Sequence, residues 1–304
     1  MKDYVVRVTA GDGAVRAFAA RITNLSNEAQ RLHGLHPVAA AALGRTMAAA
    51  IMLAVDMKGE KDSLSMIVKG DGPLGSIVVV ANPNGDIKGY VGNPALDLPL
   101  NEFNKLDVGA AVGRNGKITV IKDLGLKEPY IGQANLMSGE IGEDVAYYLT
   151  VSEQQPSVVA LGVLVNPDYS VKAAGGYIIQ AMPGAPEDII DEIERRVSNS
   201  APISKLFEQG KTPEDVLYDI LGGFDVKINA QTDVRFKCDC SRERLRRVLL
   251  GIQEDELIDI IKKDKKAELV CHYCNKKYLF NLDELNQLLK EKRKLNEEYS
   301  KNIE

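Results

Sequence analysis

The stretch LSMIVKGDGPLGSIVVVANPNGDIKGYV, residues 64–91, decides the fold class. Gly70, Gly72 and Gly75 match G-x-G-x-x-G, which between a strand and a helix would announce a parallel, nucleotide-binding sheet. Here Pro73 follows the second glycine, and the third opens the run GSIVVVA, which reads as a strand. Asp71-Gly72 and Asn84-Gly85 are turn pairs between three such runs, so the stretch is an antiparallel meander. Gly116-Lys117 lacks the earlier glycine and the following Ser or Thr of a phosphate-binding loop. No nucleotide partner is expected.

Upstream, Tyr4–Thr9 and Val15–Ile22 alternate around Gly11-Asp12-Gly13 as a hairpin, and Asn24 or Ser26 is placed to cap a helix reaching His33. Val38–Val55 is alanine-rich, holds Arg45 near its middle and falls short of a membrane span, so it reads as a buried core helix. Downstream, 92–105 is loop. Asp107–Val112 and Lys117–Lys122 read as strands, Gly142–Gln154 as a helix, and Val158–Val165 with Ser170–Ala181 as a hairpin. Gly175-Gly176 marks a bulge or a close backbone approach. Residues 1–181 are therefore expected to form an α+β core domain, an antiparallel sheet with packed helices.

Met182-Pro183-Gly184-Ala185-Pro186 changes the texture. Three short helices are expected, at 187–198, 202–209 and 213–221, with Ile189, Ile193 and Val197 on one face of the first and Val216, Leu217 and Ile220 on one face of the third. Each is too short to hold in water alone. Residues 182–223 thus read as a metastable helical linker whose apolar faces pack on something else.

Residues 224–304 read as a small C-terminal metal-binding domain. Val226–Phe236 is a strand or hairpin, Ser241 caps a helix with Leu245, Val248, Leu249 and Ile252 at helical spacing, and a second helix spans Glu254–Lys263. Asn281 caps a terminal helix with Leu285, Leu288, Leu289, Leu295 and Tyr299 on one side. The chain has four cysteines, all here: Cys238-x-Cys240 and, thirty residues on, Cys271-x-x-Cys274. Two short chelating pairs match a four-sulfur zinc site. An iron–sulfur cluster or four unrelated buried thiols are the alternatives. His272 lies inside the second pair, yet four sulfurs already fill a tetrahedron. A closed site points to structure or to chemistry on the sulfurs, away from hydrolysis. Arg235, Lys237, Arg242, Arg244, Lys276 and Lys277 lie near the cysteines and suit a doubly negative cluster, with an ordinary basic surface as the alternative.

Net charge is −5 and would be more negative with a thiolate–metal cluster, which disfavours nucleic acid as a partner of the whole chain. The start MKDYVVRVTAGDG has no export-signal pattern, and reduced thiols imply the cytoplasm.

With these features in place the chain resembles the bacterial 33-kDa heat-shock chaperonin, the redox-regulated holdase family. The resemblance rests on the C-x-C and C-x-x-C pairs, their spacer, their C-terminal position and the preceding helical linker, with GLHPVAAAALGRTMAAA and GPLGSIVVVANPNGDIKGYVGNP also similar. It implies a non-enzymatic, ATP-independent binder of unfolded proteins, inactive when reduced and zinc-bound, and dimeric and active after oxidation. It also implies disulfides Cys238–Cys240 and Cys271–Cys274. Two extended residues span about 6.6–7.2 Å, near the roughly 6.8 Å limit for a disulfide, so the first bond is expected to be strained and readily reduced. Two rivals compete. A nucleic-acid-binding zinc ribbon would use Arg242, Arg244, Arg246 and Arg247 but has no interleaved aromatic platform. A thiol–disulfide oxidoreductase would use Cys271 and Cys274 but lacks a βαβ context.

Overall fold

In chain order the elements are β1 (Tyr4–Ala10), β2 (Val15–Arg21), α1 (Thr23–His33), α2 (Pro37–Ala54), β3 (Ser63–Lys69), β4 (Ser76–Ala81), β5 (Asp86–Val91), α3 (Val108–Val112), β6 (Lys117–Asp123), β7 (Tyr130–Asn135), α4 (Gly142–Val151), β8 (Ser157–Val165), β9 (Val171–Ala181), α5 (Glu187–Ser198), α6 (Ile203–Glu208), α7 (Pro213–Leu221), β10 (Lys227–Asp233), β11 (Arg235–Phe236), α8 (Arg242–Gly251), α9 (Glu254–Lys263), β12 (Ala267–Val270), β13 (Lys277–Phe280) and α10 (Leu282–Lys301). The computed structural model describes residues 1–301, with side chains to residue 296; Tyr299, expected on the apolar side of the last helix, lies outside the described side chains. The chain divides into two units, Met1–Lys237 and the part from Cys238 onward.

The alanine-rich helix organises the first unit. α2 packs against β2, β8 and β9 on one side and β3, β4 and β5 on the other, and 83% of it is buried. A helix apolar all round must be covered all round. Small side chains let two sheets approach it: a Cβ at Gly44 would fall 2.8 Å from Val163. Arg45 pairs with Glu140 at 2.5 Å, so its charge is not left bare in the core.

The two sheets are β10-β1-β2-β9-β8 and β11-β5-β4-β3-β6-β7. The expected meander is β3-β4-β5, antiparallel with unbroken register. Strands β1, β2 and β9 of the five-stranded sheet are buried on both faces, while the edge strand β10 is largely exposed. Val5, Phe18, Ala20 and Ile178 join the α2 core, whereas Val6, Val8, Ala17, Ala19, Tyr177 and Ile179 face α5, α6 and α7. That fits the nearly continuous apolar run AAGGYII in β9, whose residues are buried on both faces.

Several expectations need correction. Residues 108–112 form the short helix α3, because the Asp107 carboxylate accepts from Ala110 N at 2.9 Å and fixes a helical start. Neither Asn24 nor Ser26 caps α1; Asp3, from the segment before β1, accepts from Leu25 N at 2.7 Å instead. The helix expected to reach Gln154 stops at Val151. The edge strand β7 is an addition that its weak alternation did not announce. At Gly175 the feature is a close approach: a Cβ there would sit 2.5 Å from the Phe207 ring, while the register shift falls between Leu164 and Val165. The strand read between Val226 and Phe236 belongs with the N-terminal sheets, since β10 pairs with β1 and β11 with β5. Asp86 binds both sides of β11, to Arg235 at 2.6 Å and Lys237 at 2.7 Å.

In the second unit, α8, α9, α10 and the β12–β13 hairpin enclose Leu249, Leu257, Tyr278, Phe280, Leu285 and Leu288. Ser241 and Asn281 cap α8 and α10 as their sequences predict, accepting from Arg244 N and Glu284 N. Val248 is 54% exposed and lies off the apolar face on which it was expected.

Candidate metal centre

The β12–β13 hairpin carries the second cysteine pair in its connection. Cys271 N–H donates to Lys276 O at 3.0 Å, and the N–H groups of Cys274 and Asn275 donate to Cys271 O at 3.3 and 2.8 Å. Asn275 takes a left-handed conformation, φ 56°, which asparagine tolerates and which closes the turn. The first pair lies between β11 and α8, where Asp239 turns to Arg244 at 2.8 Å.

Cys238 Sγ is 3.6 Å from Cys271 Sγ, and Cys240 Sγ is 3.4 Å from Cys274 Sγ. All four sulfurs lie within 4.8 Å of one another. A tetrahedron with zinc–sulfur bonds of about 2.3 Å has its sulfurs about 3.8 Å apart, so the four side chains fit such an ion. Burial pushes the Cys238 and Cys274 thiols above their ordinary range. Burial also works against Cys240, but the Tyr278 hydroxyl and the neighbouring thiols outweigh it and hold this thiol below that range. Two thiols that resist ionisation need a cation to hold them as thiolates, and binding one would release protons.

The residue that sequence reasoning missed is Tyr278. Its Oη lies 3.2 Å from Cys240 Sγ and 3.2 Å from Cys240 O. The signal was available: in KYLF, residues 277–280, alternation turns Tyr278 and Phe280 inward. The basic residues expected around the cluster largely have carboxylate partners. Arg235 and Lys237 bind Asp86, Arg242 binds Glu284, Arg244 binds Asp239 and Lys277 binds Glu268. Arg246 pairs with Glu291. Three of the four arginines that a nucleic-acid ribbon would present are thus already paired. His272 is exposed and outside the four-sulfur group.

The expected linker residues meet on one surface. Ile193, Val216, Leu217 and Ile220 are buried, with Ile189 and Val197 half-buried beside them, against the five-stranded sheet. Ile203, Leu206 and Phe207 of α6 complete the cluster and had not been singled out.

A family model described as Hsp33 protein matches residues 3–281. The chain belongs to the Hsp33 family. The 33 kDa chaperonin of Bacillus subtilis (strain 168) is 51% identical over 286 residues, covering 94% of this chain and 98% of that protein. The 33 kDa chaperonin of Caldanaerobacter subterraneus subsp. tengcongensis is 48% identical over 291 residues, covering 96% and 99%. The crystal structure of the 33 kDa chaperonin (heat shock protein 33 homolog) from Thermotoga maritima matches with a TM-score of 0.90 at 38% identity, over 97% of this chain and 100% of that one. Membership of the Hsp33 family supports a chaperone function, and the family's α+β architecture is the one described above.

Proposed function

We propose that the protein is a redox-regulated, ATP-independent holdase of the cytoplasm. It binds unfolding polypeptides without catalysis and is inactive while four cysteines hold zinc. The observation that carries this reading is the four-sulfur group, set in a unit with a core of only six buried residues among those described. Such a unit gains about 3–5 kcal/mol from its core, whereas a structural zinc contributes on the order of 10 kcal/mol. The bound ion supplies the cross-link and keeps the sulfurs deprotonated.

Peroxide is the oxidant class that suits these sulfurs. One thiolate attacks a peroxide oxygen, a sulfur–oxygen bond forms as the oxygen–oxygen bond breaks, and hydroxide leaves. A second thiolate then displaces hydroxide from the sulfenic acid and the disulfide closes. Two peroxides convert the four cysteines to Cys238–Cys240 and Cys271–Cys274. With the sulfurs committed to one another, residues 238–304 lose their cross-link and unfold. The linker helices α5, α6 and α7, held by packing and by a few polar ties such as Tyr4–Glu214 and Lys172–Glu208, release next and uncover apolar surface for clients and for a homodimer.

Suppression of aggregation of a thermally unfolding protein, followed with and without peroxide while free zinc is recorded, tests this. Reduced protein is expected to be inactive with one zinc per chain; oxidised protein is expected to be active as zinc appears in solution. Anaerobically purified protein without zinc, or zinc retained after Cys238→Ser plus Cys271→Ser, overturns it. A dominant Cys238–Cys271 or Cys240–Cys274 cross-link in peptide mass spectra overturns the pairing.

A further inference from the structure

We propose that Tyr278 is a positioning residue for the metal centre: its hydroxyl, hydrogen-bonded to Cys240 Sγ, holds that sulfur in the metal-binding arrangement and slows its attack on oxidants. The second half of the proposal rests on the redox reading above. Tyr278 is 6% exposed in β13, opposite Leu269, and its ring belongs to the small core with Leu249, Phe280 and Leu285. Lys276 Nζ lies 5.3 Å from the ring centroid. The ring is therefore fixed, and only the O–H bond is free to rotate. Its two acceptors belong to one residue, Cys240 Sγ and Cys240 O, each at 3.2 Å. When Cys240 is a thiol, the carbonyl takes the phenol proton; when it is a thiolate, the sulfur is the stronger acceptor and takes it.

A hydrogen bond to a thiolate withdraws charge from the lone pair that must attack peroxide. Among the described side-chain contacts, Cys238 and Cys274 meet only other cysteine sulfurs, Cys271 at 3.6 Å and Cys240 at 3.4 Å. On Cys240 the donor is a side chain, so here the sequence can set how readily a sulfur reacts. Hydrogen bonds of this outer kind change metal affinity by about 10–100-fold.

The test uses the full chain as wild type, Tyr278→Phe and Lys276→Met. Phenylalanine keeps the ring and removes the donor; Lys276→Met removes the charge near the ring and keeps the donor. Chelator competition without oxidant is expected to show zinc held about tenfold more weakly by Tyr278→Phe. In cobalt-loaded protein its sulfur-to-metal charge-transfer band is expected at lower energy, a shift that a packing defect alone does not produce. Peroxide is expected to release metal on the order of fivefold faster from Tyr278→Phe, with Cys240 gaining most in iodoacetamide labelling. Lys276→Met, which removes only a nearby charge, should leave the band and the Cys240 labelling rate at their wild-type values and change the affinity less than Tyr278→Phe does. An unchanged band and affinity in Tyr278→Phe, or equal changes in Lys276→Met, overturns the proposal. Should Tyr278→Phe fail to fold, 3-fluorotyrosine at position 278, a stronger donor, is expected to move the band to higher energy, and no movement overturns the proposal. If affinity and band shift but peroxide releases metal from neither protein, the positioning role stands and the redox reading with its reactivity half falls.

Discussion

In the five-stranded sheet β1, β2 and β9 are buried on both faces, and the two faces are covered in different ways. On one face lies α2, a single 18-residue helix pressed between two sheets and covered on every side. On the other lie α5, α6 and α7, of 12, 6 and 9 residues, which bury one side each and leave the other to solvent. The same strands serve both. Removing α2 would take from both sheets the core they share, whereas removing the three short helices would leave the α2 core intact and bare a row of Val6, Val8, Ala17, Ala19, Tyr177 and Ile179. Apolar surface can thus be stored on one face without endangering the fold carried by the other.

Breaking this contrast most forcefully means placing a charge under the linker. Leu217 is fully buried, so Leu217→Asp is expected to cost about 3–5 kcal/mol, detach the linker and yield a reduced protein that suppresses aggregation without oxidant. Limited proteolysis should then cut between 182 and 226 and spare residues 1–181. Ile193→Asp should act alike. Reduced variants as inactive and as protease-resistant as wild type would show that the two faces are equally permanent.

A smaller effect is expected at Arg196, which ties α5 to the end of α7. Its guanidinium donates to Ile220 O at 2.9 Å and Gly222 O at 2.6 Å and lies 5.1 Å from the Phe224 ring centroid. Arg196→Met should cost about 2 kcal/mol. Hydrogen exchange should quicken over 187–221 while α2 amides keep their protection; uniform loss across both would mean that the linker is not a separate cooperative element.

The smallest effect is in acid. Hydrogen bonds from Arg195 and Arg196 bring the Glu192 carboxyl from its ordinary 4.5 down to about 2. A lowered carboxyl contributes stability above its unfolded value and loses it as pH falls through the folded one. Protection factors in α5, with the intrinsic pH dependence of exchange divided out, are therefore expected to fall between pH 4.5 and 2 in wild type, and Glu192→Gln should flatten that part of the profile.

What could be read from the chain follows the strength of local signals. The α2 helix, the first hairpin, the β3–β4–β5 meander, α5 and α7 carry long patterns or clear punctuation, and four cysteines with nothing else to confuse them mark the candidate metal centre. Residues 108–112 misled because VGAAV suits a strand as well as a helix, and the decision lay with the Asp107 cap. From sequence β10 reads as part of the cysteine region, because chain order says nothing about a partner strand more than 200 residues away. Asp3 capping α1 and Tyr278 reaching Cys240 are likewise products of tertiary placement: the residue types were visible and their partners were not.

The pairing of β10 with β1 bears on how the protein is made. Tyr4 lies opposite Asp233, so the second strand of the ribbon leaves the ribosome long after the first. At about 5–20 residues per second, this edge of the five-stranded sheet stays open for roughly ten to fifty seconds of synthesis. The linker helices also emerge after the strands that they cover. A nascent chain of this protein therefore displays, during its own translation, the same apolar sheet face that the finished molecule conceals, and its biogenesis depends on that face finding its own helices before it finds another polypeptide.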